Sequence, residues 1–290
     1  MPTTIPTTTS STRPGSPSAG DAYFETDTNN YIIYDGANWR GYVSDGVFGW
    51  TGSSAYSILF DGSDDYVNLA SVVTPTAQQG TISAWVKSSS SSYSPIFNIT
   101  SNTAGHNNYW MGLQFSGGSP GKLEFAHRPN AGDFIIYTSA STYNDGNWHH
   151  VMVTSNGSSY KLFIDGSEDT SATTSGTNPG NVVGGWIGDM VVKNSCNIGA
   201  QRRNADGSNG YMTGYIDEVA VWDSDESSNI STIYNSGTPG NLSSLTPEHW
   251  YRMGDNNGGS GNTLLDQGFG STDINGTLTN GPTYSLDVPS

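Results

Sequence analysis

Side chains able to do chemistry are sparse in this sequence, and their spacing is more informative than their number. Six glutamates occur, Glu25, Glu124, Glu168, Glu218, Glu226 and Glu248, and none has another glutamate four residues away. Asp217 and Glu218 share a segment with Asp223, at a spacing and phase unsuited to paired-carboxylate work. His149 and His150 are adjacent on a predicted strand, so they face opposite sides and cannot chelate one ion together. His106, His127 and His249 are scattered. Neither a nucleophile elbow nor a phosphate loop is present. The single cysteine, Cys196, excludes an intrachain disulfide and a zinc site built on two thiolates.

Two groups remain. Asp217 is in phase with Val219 and Val221, so valines that face a core would carry its carboxylate inward, where it needs a partner. A calcium ion shared with Asp61 and carbonyls near Gly62 is one partner, and backbone N–H groups at a strand start are the other. Asp64 and Asp65 read as solvated turn residues. The second group lies in predicted loops: Asn107, Tyr109 and Trp110; Arg128 and Asn130; Arg202 and Arg203. It combines aromatic rings with amide and cationic groups, the chemistry that holds a hydroxyl-rich ligand.

The elements that must position these residues are strands. Asn147 to Gly166, NWHHVMVTSNGSSYKLFIDG, alternates with period two on both sides of Asn156-Gly157, which predicts a hairpin with strands Trp148 to Thr154 and Tyr160 to Ile164. About ten such strands, separated by turn signals, predict an all-β, two-sheet antiparallel β-sandwich. One short helix is predicted over Ser224 to Asn235, with Asp223 as N-cap and Glu226 completing a capping box. The composition agrees, with 37 Gly and 16 Tyr but only 12% charged residues. The net charge of −16 repels a phosphate backbone, so nucleic acid is not an expected partner.

The hairpin, together with YSILFDGSDDYVNL (Tyr56 to Leu69), TISAWVK (Thr81 to Lys87) and GYIDEVAVWD (Gly214 to Asp223), resembles laminin-G-like domains of the concanavalin A-like lectin and glucanase superfamily. The resemblance implies a jelly roll and makes glycans the expected ligand of the loop residues. It also implies that calcium is a possible cofactor. Retaining glucanases of this fold place two glutamates four residues apart around an aspartate; that pattern is missing, so no enzyme activity is expected.

Gly20 to Trp39, with Gly-Asp-Ala-Tyr-Phe-Glu-Thr-Asp-Thr-Asn and Tyr-Asp-Gly-Ala-Asn-Trp, resembles a short β-module of bacteriophage fibre and other virion proteins. Tyr-Arg-Met-Gly-Asp (Tyr251 to Asp255) and the stretch ending Asp-Val-Pro resemble a tail that follows laminin-G-like domains in phage proteins. The expected organisation is an extended arm over 1–20, a small β-module for virion attachment over 21–52, a laminin-G-like jelly roll over 53–240 and a C-terminal β extension over 241–290. Tyr23, Phe24, Tyr31, Ile33, Tyr34 and Trp39 supply the attachment surface.

The resulting expectation is a non-enzymatic virion structural protein, of the tail-fibre or capsid-decoration type, made in the host cytoplasm. Its expected partners are other virion proteins, copies of itself and host-surface glycans. A cement or spacer protein without ligand is the alternative, and a polysaccharide depolymerase the third. The first dozen residues have neither the basic nor the apolar stretch of an export signal, and no apolar run approaches the ~20 residues of a membrane span.

Overall fold

A computed structural model of the chain describes residues 6–9, 12–18, 21–25, 30–34, 39–42, 54–103, 109–203, 209–255 and 257–290. It divides into two compact units, 1–53 and 54–290. In the first, β1 (Thr7–Thr8), β2 (Ala22–Glu25), β3 (Asn30–Tyr34) and β4 (Trp39–Tyr42) form a single sheet in that order. Tyr23 and Phe24 lie on β2, Tyr31, Ile33 and Tyr34 on β3, and Trp39 on β4.

The second unit begins with β5 (Ser57–Asp61), β6 (Tyr66–Leu69), β7 (Gly80–Lys87), β8 (Ser94–Thr100), β9 (Trp110–Phe115), β10 (Lys122–Arg128) and β11 (Phe134–Thr142). It continues through β12 (Trp148–Ser155), β13 (Tyr160–Ile164), β14 (Ser167–Glu168), β15 (Thr173–Thr177), β16 (Ser195–Ile198), β17 (Ala200–Gln201) and β18 (Gly210–Tyr211). After β19 (Thr213–Trp222) and α1 (Ile230–Tyr234), it ends with β20 (His249–Tyr251), β21 (Thr263–Leu264), β22 (Gly276–Thr279) and β23 (Thr283–Ser285).

Two antiparallel sheets form a sandwich. One runs β15-β11-β10-β9-β8-β16-β6-β22-β21, the other β14-β13-β12-β7-β19-β5-β23 with β20 also on β19. Alternation assigns the faces. On β9, Met111, Leu113 and Phe115 enter the core; on β12, Val151 and Val153 meet them from the other sheet. Each such side chain, taken fully out of water, contributes about 1.5–3 kcal/mol. The β12–β13 turn takes the form its sequence requires: Gly157 has φ 83° and Asn156 Oδ1 accepts the N–H groups of Ser158 and Ser159. Residues 241–290 extend both sheets, because β20 and β23 join one and β22 the other. Among the described residues no helix is long and apolar enough to cross a membrane.

Two local expectations are corrected. The β19 alternation does not run through Asp217, because a bulge with Glu218 at φ 47° shifts the register between Asp217 and Ala220. The extra residue reverses the phase, so Ile216, Val219 and Val221 share the core while Asp217 turns to the other face of its sheet. The helix is also shorter than its pattern, a 3₁₀ turn at Ser227–Asn229 followed by α1. Asp223 does not cap it: Glu226 N–H donates to Thr81 Oγ1, and the Glu226 carboxylate is held by Ser224 Oγ and Asn229 Nδ2.

Candidate functional site on the outer face of the nine-stranded sheet

The strands that bury one set of alternate residues in the core turn the other set outward, the even-numbered ones on β9 and β10 and the odd-numbered on β16, and many of the outward residues on β8, β9, β10 and β16 are polar. The register sets Asn68, Asn197, Asn98, Gly112, Ala126 and Ile136 side by side across β6, β16, β8, β9, β10 and β11. The β17–β18 ladder lies against β8, and Gln201 Nε2 donates to Asn98 Oδ1 at 3.2 Å. Gly112 makes room for this amide, since a Cβ there would sit 2.2 Å from Asn98 Oδ1. Asn98 Nδ2 and Asn197 Oδ1 are buried without a hydrogen-bond partner.

Beside this row a cleft of about 280 Å³ opens, lined by Tyr93, Trp110 and Ile136 and by Gln114, Glu124, Gln201 and Arg203. The internal hydrogen bonds orient its polar groups. Tyr93 OH donates to Gln114 Oε1 at 3.2 Å, which leaves the Gln114 amide nitrogen as a donor to the cleft. Burial holds the Tyr93 phenol well above its usual pKa, so it stays a donor. Glu124 Oε1 accepts from Ser116 Oγ at 2.6 Å and Thr138 Oγ1 at 3.0 Å, which leaves Oε2 as an acceptor. Half-buried Trp110 presents an indole to the same space. Gln114 and Glu124 are cross-strand neighbours and Trp110 lies four residues along β9 from Gln114, so a fixed donor beside a fixed acceptor, with an indole further along the cleft, suits a ligand whose hydroxyls both give and take hydrogen bonds.

The structure brings together some of the expected loop residues and separates others. Trp110 and Arg203 line the cleft, and Arg128 is the cross-strand neighbour of Trp110 on the same face, with its guanidinium 5.5 Å from the Phe134 ring centre. Tyr109 does not belong to it. One residue before Trp110, it points inward and is buried in the core. Arg202 turns away and lies over the Tyr66 ring at 4.3 Å. Asn130 shapes a turn, accepting from Gly132 and Asp133 N–H and donating to the Asp133 carboxylate. Asn107 lies outside the described residues.

Asp61 and Asp217 do not meet. The register pairs Asp61 with Thr213, so Asp217 lies four residues further along β19, about 13 Å away. Asp217 is fully buried, its oxygens taken by Ser54 Oγ at 2.6 Å and Glu218 N–H at 2.8 Å. Beside it Glu218 accepts from Trp250 Nε1 at 2.6 Å and Arg252 Nε at 3.2 Å, and Arg252 Nη2 reaches Asp255 at 2.6 Å. Burial raises Asp217 well above the usual carboxylate range and Glu218 to about 7. This cluster ties the bulge to the start of β5, where Asp255 Oδ1 accepts the N–H groups of Ala55 and Tyr56.

Asp61 instead groups with Asp64 and Asp65, ligand oxygens within 4.8 Å, two of the three residues exposed. Their hard oxygens suit calcium, but three carboxylates at an exposed turn supply only part of the six to eight ligands the ion takes.

The sequence profile of the concanavalin A-like lectin/glucanases superfamily, laminin-G type, matches residues 61–229. The chain belongs to this superfamily. The match spans β6 to β19 and so includes the strands of the cleft. Among solved structures, a presumed carbohydrate binding protein from Bacteroides ovatus aligns over 94% of this chain and 71% of its own, at 19% identity and a TM-score of 0.56. A heptameric SAP-like pentraxin from Limulus polyphemus aligns over 62% of this chain and 82% of its own, at 18% identity and a TM-score of 0.46. These likenesses concern the fold. No curated protein matches the sequence.

Proposed function

We propose that the chain is a non-catalytic glycan-binding protein whose site is the outer-face cleft, and that it serves on a bacteriophage virion. The carrying observation is the cleft itself: Trp110, Arg203 and the cross-strand pair Gln114 and Glu124, with the directions of that pair's side chains fixed by Tyr93, Ser116 and Thr138. Superfamily membership and the likeness to a presumed carbohydrate binding protein support this reading. Glycoside hydrolysis takes two carboxyl groups across the scissile bond. Glu124 is the one carboxylate among the described residues lining the cleft, which favours binding over cleavage.

The virion role is supported by the separate unit of residues 1–53, whose sequence resembles the attachment module of phage proteins. That unit would join the particle, as one of several copies, and the sandwich would face outward. A glycan array probed with the full chain and with Trp110→Ala tests the reading. Glycans held by the native chain and lost by the variant support it. Uniform silence of a folded chain would leave a cement or spacer protein, and release of sugar from host envelope material would make it a depolymerase.

A further inference from the structure

The two ends of the outer-face site differ in charge. Strand register separates them: Trp110 and Arg128 pair across β9 and β10 at one end, Gln114 and Glu124 at the other. Four residues at about 3.3 Å each set the pairs about 13 Å apart, a span for an oligosaccharide rather than a single ring. Between them Gly112 faces Ala126, and two such small residues leave an open floor.

At the Gln114 end the charges balance. Burial dominates the raised pKa of Tyr93; the other influences on it are the Arg203 cation, which lowers it, and the Glu124 carboxylate, which raises it. Opposite charges therefore share this end. The Trp110 end carries a cation. Arg128 is half-buried, its guanidinium lies 5.5 Å from the Phe134 ring centre, and Nη2 donates to Ala131 O at 3.2 Å. These contacts hold the group beside the indole without neutralising it. Nε is buried, while Nη1 stays open to solvent and within reach of a ligand. Among the described residues Arg128 makes no ion pair, whereas Lys87, Lys161 and Arg252 each do. Asp133, in the turn that follows, is held by the amides of Asn130, Asn178 and Asn181. A chain with 26 acidic residues against 10 basic has carboxylates to spare, yet places none on this cation.

We propose that the glycan of this site carries a carboxylate, which Arg128 binds while the adjoining sugar face lies on Trp110 and a neutral part of the same glycan reaches Gln114 and Glu124. The proposal rests on the glycan reading of the cleft and adds the acidic class of the sugar and the residue that selects it. A planar guanidinium matches a carboxylate in shape, and a charge-assisted hydrogen bond is about twice as strong as a neutral one. Glu124, at the far end, meets hydroxyls and does not oppose the acid.

The test is a glycan array of oligosaccharides bearing hexuronate or sialate, each printed beside its carboxyl-reduced form and a sulfated analogue, followed by titration of the best-held set. The proteins are the full chain, Arg128→Met, Arg128→Lys and Trp110→Ala. The native chain should hold the acidic form roughly ten- to hundredfold more tightly than the reduced form, the range of a hydrogen bond to a charged group. Added salt should narrow that gap. Arg128→Met should close it while holding the reduced form as the native chain does, Arg128→Lys should restore part of it, and Trp110→Ala should lose both forms. The comparison within the native chain stands without any substitution. Equal retention of acidic and reduced forms, a gap that survives in Arg128→Met, or a preference for the sulfated analogue would overturn the proposal and leave the glycan reading intact. Silence of a folded native chain toward every glycan would overturn both.

Discussion

Replacing Arg252 with methionine removes the guanidinium that faces Glu218 and Asp255 inside the cluster under the β19 bulge. Methionine fills similar space, so the change isolates the charge. Arg252 and Glu218 are 2% and 3% exposed, and with the cation gone two buried carboxyls are left without it. Breaking a buried pair on one side costs about 3–5 kcal/mol. For a unit of this size each kcal/mol moves the melting temperature by roughly 2–4 °C, so the expected fall is about 6–20 °C.

The pH dependence carries a sign. Burial raises Glu218 in the folded chain from 4.5 to about 7, so between those values the folded state holds a proton that the unfolded state has lost. Stability from this group is full below 4.5 and falls as pH rises through about 7, by about 1.4 kcal/mol per unit within the window. Without Arg252 the carboxylates are costlier still, so the deficit of the variant should be larger near about pH 8 than near about pH 5. Calorimetric melts of both proteins at the two pH values measure this. A loss below about 1 kcal/mol, the range of an exposed pair, or a larger deficit at the lower pH would refute the reasoning.

Other outcomes follow from the same geometry. Gly112→Ala drives a Cβ into the Asn98 amide and should cost about 1–3 kcal/mol by urea unfolding while abolishing glycan retention; native stability would mean that the amide row is not tightly packed. Asp217→Ala should lose about 1–3 kcal/mol equally with and without chelator, because the carboxylate is held by Ser54 and Glu218 N–H; a chelator effect on melting that survives in Asp217→Ala and vanishes in Asp61→Ala would assign calcium to the Asp61 turn. A fragment starting at Ser53 keeps Ser54 and its bond to Asp217, so it should melt cooperatively like the full chain yet fail to join particles lacking the native protein. Normal incorporation would move the anchor to residues 250–289.

The sandwich was readable because its signal is local: alternation on Trp148 to Thr154 and the Asn156-Gly157 turn depend on neighbours in sequence. Asp217 was misplaced because a bulge at a non-glycine residue leaves no mark in an alternation pattern. Trp110 and Arg203 were legible as ring and cation, but the sequence could not show that Tyr109, one residue away, points into the core. Gln114 and Glu124 were missed as site residues, although each is a polar residue at an outward position of a strand whose inward positions, His127 apart, are apolar. That pattern was the available signal. Tyr93 and Gln201 approach through long-range packing, which no spacing rule reveals.

The most direct measurement is a crystal structure of the full chain with the oligosaccharide it retains best on the array. A sugar ring stacked on Trp110, with hydroxyls on the Gln114 amide and Glu124 Oε2, is the predicted result. A sugar bound elsewhere, with the cleft between Tyr93 and Ile136 unoccupied at saturating ligand, would contradict the account.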